Sequence, residues 1–299
     1  MTASATTHDR LADIHPLNVR LPLVDLPHLD VLLACSAAPG MSLEEVERLA
    51  ALQTRIDRKY VLSPAAAQEL IVVFATRSAV TTVPSESGDL RSCRYRSIYF
   101  DTPDRESYRG TAHQRRRRFK VRSRTYVDSS ISFLEVKRRA SRGTTEKVRI
   151  PLPGQRSPAH LDAAMQRFVD DSLDRPGLGA SLMPVVTTEY LRTTLVDLGS
   201  TTRATIDTSL SFGFPDDTTR RVGIDGLVVI ETKSSAGVSW YDRVLWEAGV
   251  RPRSISKFGI GMAMTRPELS SNRWTRVLTG SNPQPRPEPT SPSSAPAGR

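Results

Sequence analysis

The chain has 299 residues, 38% hydrophobic and 25% charged, which is the balance of a globular protein with a core, not of a disordered or collagen-like chain. Its 42 Lys and Arg outnumber 32 Asp and Glu, for a formal charge of +10, a surplus that points to a polyanionic partner or an acidic surface. Two cysteines, Cys35 and Cys93, are too few for a disulfide framework or a Cys-rich zinc site, and no run reaches the roughly 20 apolar residues of a membrane span. The expected location is a reducing cytoplasm. Leu32-Leu33-Ala34-Cys35 is like a lipoprotein cleavage box, but Asp25, His28 and Asp30 interrupt the apolar stretch such a box requires.

Residues 1–40 show no sustained period and are expected to form a loose arm. Ser42-Leu43-Glu44-Glu45 is a capping-box signature, and Val46, Leu49 and Leu52 give the helix behind it an apolar stripe. Ser63-Pro64 opens a second helix through Leu70, Val73 and Phe74. From Arg91 to Pro153 the period is two, with turn signals at Asp128-Ser129-Ser130 and Ser141-Arg142-Gly143. A helix is predicted over 159–172, strands over 185–198, 201–212 and 222–234, and helices over 238–248 and 256–266, the last capped by Ser256. Residues 280–299 are rich in Pro and Ser and are expected to be disordered. The pattern predicts an α+β fold: one antiparallel barrel or sandwich over about 41–268, with flanking helices.

Charge falls on particular faces of these strands. Period-two geometry puts Lys120, Arg122, Arg124 and Tyr126 on one side of their strand. Glu135 and Lys137 share a face with Phe133, opposite Leu134 and Val136. Lys147 and Arg149 oppose Val148 and Ile150. Tyr190 pairs with Arg192, Arg203 with Thr205 and Asp207, and Glu231 with Lys233. A half-solvated sheet would also alternate, yet here the polar faces repeat Arg and Lys. Turned inward, they would repel one another in a lower dielectric unless an anion neutralised them. Arg suits phosphate through its planar fork, and Lys supplies a compact charge. Glu231 has two readings, an ion pair with Lys233 or a ligand for a divalent cation bridging phosphates.

The motifs Arg55-x-Asp57-Arg58-Lys59-Tyr60, Tyr99-Phe100-Asp101-Thr102, Lys120-x-Arg122-x-Arg124-x-Tyr126, Phe133-Leu134-Glu135-Val136-Lys137, Glu231-x-Lys233 and Ser256-Lys257-Phe258 occur in that order. Together they resemble the polyphosphate polymerase domain of the vacuolar transporter chaperone (VTC) family, in its stand-alone bacterial form, within the triphosphate tunnel metalloenzymes. The resemblance covers about residues 50–265. It implies an antiparallel β-barrel around a basic tunnel, and transfer of the γ-phosphate of ATP to a growing polyphosphate chain with Mn2+ or Mg2+. It casts Arg122, Arg124, Arg192 and Arg203 as phosphate clamps, with Lys59, Lys137, Lys147 and Lys257 neutralising charge. Lys120, Tyr190, Lys233 and Ser256 would contact substrate, and Glu231 would hold the metal. Asp57 and Asp101 are expected to be salt-bridge and turn residues.

Two other functions compete with polymerisation. Hydrolases of the same barrel open with a Glu-x-Glu-x-Lys strand, where this chain reads Arg55-Ile56-Asp57-Arg58-Lys59. A module that binds polyphosphate without turnover would need only the basic tunnel. The Arg115-Arg116-Arg117-Arg118 run is read as a solvated strand lead-in or tunnel mouth. Few aromatics lie near it to stack bases, so no nucleic-acid partner is expected.

Overall fold

In the computed structural model, residues 26–50, 56–85, 88–139, 145–153, 160–200, 202–215, 217, 219–224, 226–235, 237–271 and 274–280 are described. Residues 1–25 of the expected arm, Arg55, the Ser141-Arg142-Gly143 turn and the tail from 281 lie outside the described residues. In chain order the elements are α1 (Leu26–Ser36), β1 (Gly40–Ser42), α2 (Leu43–Ala50), β2 (Ile56–Leu62), α3 (Pro64–Ala75), β3 (Ser78–Thr82), β4 (Ser92–Asp101) and α4 (Glu106–Ala112). Then follow β5 (Phe119–Tyr126), β6 (Ile131–Arg139), β7 (Thr145–Leu152), α5 (Ala163–Leu173), α6 (Leu178–Ser181), β8 (Met183–Asp197) and β9 (Arg203–Gly213). The chain closes with β10 (Arg221–Gly223), β11 (Val228–Ser234), α7 (Trp240–Glu247), α8 (Lys257–Thr265) and α9 (Thr275–Gly280).

Local chemistry sets many of the helix starts. Ser42 and Glu45 exchange backbone and side-chain hydrogen bonds as a capping box at α2. Ser63 caps α3 ahead of Pro64, and Ser239 with Asp242 makes a second capping box at α7.

Eight of the strands run through one sheet in the order β2-β11-β9-β8-β4-β5-β6-β7, antiparallel at every step, with β3 and β10 added beside β8 and β9 and β1 parallel to β3. Laid flat, β2 and β6 would stand about 29 Å apart at about 4.8 Å per strand. Instead Lys137 on β6 feels the charges of Glu231 on β11 and Lys59 on β2. The sheet is therefore curled, with a concave face inside. Curling gives the barrel-like shape, but β2 and β7, the ends of the path, are not paired to each other among the described residues.

Apolar clusters cover the convex face in two places. Tyr60, Leu195, Ile206 and Ile230 pack under α1, α3 and α7, while Val121, Leu134 and Val136 pack under α5. A third cluster lies on the concave side, where Phe258, Ile260 and Met262 of α8 meet Tyr99, Val186, Phe212 and Val229.

Three expectations are corrected. The stretch read as a loose arm contains α1, held by Val31, Ala34 and Cys35 in the core with α3. Its exposed face also carries Leu29 and Leu33, so the apolar residues run around the helix and leave no clear period. The Arg91–Pro153 stretch, read as short strands separated by turns, contains α4. Asp101 accepts the backbone N–H groups of Thr102, Ser107 and Tyr108 and so nucleates that helix. The core also extends beyond residue 268, the expected boundary, to buried Trp274 and Val277.

Candidate functional site

The concave face assembles the basic residues strand by strand. Lys120 faces Lys137, and Arg122 faces Glu135, across the β5–β6 ladder. Lys147 and Arg149 follow on β7, opposite Lys137 and Glu135. On the other half, Arg192 of β8 is opposite Asp207 of β9, and Glu231 of β11 lies between Thr205 and Lys59. Lys233 sits between Arg203 and Asp57.

A bulge makes this face possible. The β8–β9 register shifts between Glu189 and Leu191, and Ser209 takes a left-handed φ of 52°. Before it, Arg203, Thr205 and Asp207 point to the charged face. After it, Leu210 and Phe212 point to the same side, where they join the α8 cluster. One strand thereby lines both the polar site and its apolar floor.

The start of α8 enters the charged region. Ser256 accepts from the Gly259 amide as N-cap and also accepts a hydrogen bond from Lys120 Nζ at 2.8 Å. Lys257 pairs with Asp207. The segment before α8 runs beside β2, since the Arg253 amide donates to the Lys59 carbonyl at 2.7 Å.

Three carboxylates hold the cations in place. Asp207 takes both Arg192 Nε and a second guanidinium nitrogen at 2.6 and 2.8 Å, a bidentate fork. Glu135 accepts from Arg122 Nε at 2.7 Å and pairs with Lys147 at 2.5 Å. Glu231 lies 3.4 Å from Lys59 and 3.6 Å from Lys233. Two tyrosines add neutral acceptors: Arg122 donates to Tyr99 at 2.9 Å and Arg124 to Tyr190 at 3.1 Å. Tyr95 stacks on Tyr190 and lies under both Arg124 and Arg192.

The cations still outnumber these acids, and burial adds to the cost of charging them. Burial, and then the charges of Lys59, Lys137, Arg122 and Arg118, push Lys120 down from 10.5 to about 7. Lys137 falls to about 7 through burial and the nearby Arg122. Lys233 falls to about 8, again mainly by burial, although Glu231 opposes the shift. The carboxylates move the other way. Burial alone would raise Asp207, but Arg192 and Lys257 outweigh it and bring the group to about 2. Glu231 is likewise held well below the usual range, burial being overcome by Lys233 and Lys59. At neutral pH these acids are ionised and two of the lysines stand at the edge of losing their charge.

Every site residue singled out from the sequence lies on this face or at the start of α8. Asp207 and Glu135 were not singled out, although both sat on the charged faces. The signal was their place on a face shared with a cation, Glu135 two residues before Lys137 and Asp207 four residues after Arg203, which reads as an ordinary ion pair until the strands are assembled. Asp101 proves to cap α4 by accepting amides, and among the described residues it makes no salt bridge.

The VTC domain family matches residues 54–266. No curated protein matches the chain at a significant level. Among solved structures it is similar to HpAC1 of Hippeastrum, described by a dominant triphosphatase activity, at 16% identity and a TM-score of 0.46, covering 71% of this chain and 96% of that one. It is also similar to the PH1819 protein of Pyrococcus horikoshii OT3, at 13% identity and a TM-score of 0.40, covering 72% of this chain and 99% of that one. The family match spans the β2-to-α8 region that builds the charged face, and the chain belongs to the VTC domain family.

Proposed function

We propose that the concave face binds a nucleoside triphosphate and a polyphosphate chain, and transfers the γ-phosphate of ATP to the chain end. The observation that carries this reading is the register that sets Lys120, Lys137 and Lys147 side by side on the concave face; burial, and then the neighbouring cations, hold Lys120 and Lys137 near pKa 7. Phosphate oxygens would supply the missing negative charge. In the transfer, a terminal oxygen of the chain bonds to the γ-phosphorus as the bond to the β-bridging oxygen breaks, and ADP departs. The protein's part is positioning and charge neutralisation. Arg122, Arg124, Arg192 and Arg203 would grip phosphate oxygens. Lys59, Lys137, Lys147 and Lys257 would offset charge along the chain, and Lys120, Tyr190, Lys233 and Ser256 would hold the ends of the substrate.

The family's cofactor is a divalent cation, Mn2+ or Mg2+, which would neutralise phosphate charge when bound. Among the described residues no three His, Cys, Asp or Glu side chains converge as a cage, and Asp207 is committed to Arg192 and Lys257. Glu231 pairs more loosely, with Lys59 at 3.4 Å and Lys233 at 3.6 Å. The donor set fits a cation that arrives on the phosphates, as Mg2+ commonly does, with Glu231 as its one protein ligand.

The test incubates purified protein with ATP and Mn2+ and resolves products by chain length. Long polyphosphate with ADP release is expected. Orthophosphate released from tripolyphosphate, with no chain growth, would replace the reading with a hydrolase. Salt-sensitive polyphosphate binding with neither product would leave a binding module. Arg122→Ala should reduce turnover by about a hundredfold or more, with unchanged far-UV circular dichroism. Full metal-dependent activity in Glu231→Ala would remove the metal assignment.

A further inference from the structure

The arginine run Arg115–Arg118 lies outside the site just described, at one of its ends. It links α4 to β5, and β5 enters the charged face two residues later at Lys120. Arg118 is half-buried, and its charge reaches Lys120. Its carbonyl accepts the Arg139 amide of β6 at 3.0 Å, which ties the run to the end of the sheet where Lys120, Lys137 and Lys147 are in register. Arg115, Arg116 and Arg117 are exposed.

Their neighbours are treated differently. Arg109 pairs with Asp104, Arg138 with Glu146 and Arg175 with Glu106. Among the described residues no carboxylate pairs with Arg115, Arg116 or Arg117. Three adjacent exposed guanidinium groups without acids repel one another and gain most from a chain of closely spaced anions. The few aromatic side chains at this end, Phe119 and Phe258, are buried, so no ring is offered to a base.

We propose that a polyphosphate chain longer than the charged face leaves it at the Lys120 end and lies along Arg115, Arg116 and Arg117. The inference rests on the reading of the concave face as a polyphosphate site and extends it to the part of the chain outside. It makes the protein favour long chains over short ones, with the extra contacts made to oxygens remote from the reacting phosphate.

The experiment measures binding of tripolyphosphate and of long-chain polyphosphate to the full chain and to the triple variant Arg115→Ser, Arg116→Ser, Arg117→Ser. The variant should bind tripolyphosphate as the parent does, which also reports an intact fold. It should bind the long chain about tenfold more weakly, the sum of three exposed charge contacts. Unchanged long-chain affinity, or equal weakening for both ligands, would overturn the track. If the parent protein fails to bind tripolyphosphate, the reading of the concave face falls instead. A single-stranded RNA bound as tightly as the long chain, and lost equally in the variant, would make the run a nucleic-acid contact and overturn the assignment to polyphosphate.

Discussion

Lys120 and Lys137 make the site pH-sensitive in a definite direction. Each has an ordinary value of 10.5 and stands near 7 in the folded protein. Between those limits the unfolded chain carries protons that the ligand-free fold lacks, so these groups make stability rise with pH across the window from about 7 to 10.5. Binding runs the opposite way. Phosphate oxygens favour the ammonium form, so at pH 8 the complex takes up protons, and affinity falls as pH climbs. Calorimetry of tripolyphosphate binding in buffers of differing ionisation enthalpy should show net uptake, and Lys120→Met should lower it. A complex that forms with no proton uptake at pH 8 would show that both lysines are already charged. Such behaviour was only half legible beforehand. Period two placed Lys120, Arg122 and Arg124 together, but the proximity of Lys59 to Lys120 depends on curling of the sheet, which no local pattern encodes.

Among the elements, α8 joins the apolar floor to the charged face. Gly259 is its third residue, and a methyl group there would fall within the Trp274 ring, whose backbone carries it into the same cluster. Gly259→Ala should cost about 1–3 kcal/mol, read as a lower urea midpoint. It should also weaken tripolyphosphate binding, because the displaced helix carries Ser256 and Lys257. An unchanged midpoint would mean that Trp274 moves aside freely. The helix itself was readable, since Ser256 and the following residues are an N-cap signature, and its capped start is found as expected. What it packs on was not. Tyr99, Phe212 and Val229 come from three separate strands, and the parity change at Ser209 that turns Phe212 inward leaves no mark in the alternation of neighbouring residues. Similarly α4 escaped notice because its seven residues depend on Asp101 and on the packing of Tyr108 more than on their own period.

At the scale of the whole molecule, the formal charge of +10 is unevenly used. Surface arginines such as Arg109, Arg138 and Arg175 are matched by acids, while the concave face and the arginine run retain a surplus. Polyphosphate binding should therefore weaken at least tenfold between about 50 and 200 mM salt, measured by titration at constant pH; a salt-independent affinity would point to a neutral mode of recognition. The global α+β arrangement followed from strand spacing and helix caps, and the family resemblance ordered the motifs along it. The manner of closure did not follow, because it depends on pairing between the first and last strands of the path.

That missing pairing has a consequence for how a polymer gets in. A ring sealed by hydrogen bonds admits a long chain only by threading from a free end. Among the described residues no strand pairing joins β7 to β2, and β2 is flanked there by the segment before α8, through Arg253 and Lys59; we predict that a polymer is laid in from the side past that segment and lifted out again part-way along its length. Chains capped at both ends with bulky groups should then bind nearly as well as uncapped ones, and an enzyme loaded this way would release and recapture its product instead of holding one strand from first phosphate to last. Strong rejection of doubly capped chains in a competition assay would show that the seam stays shut in solution.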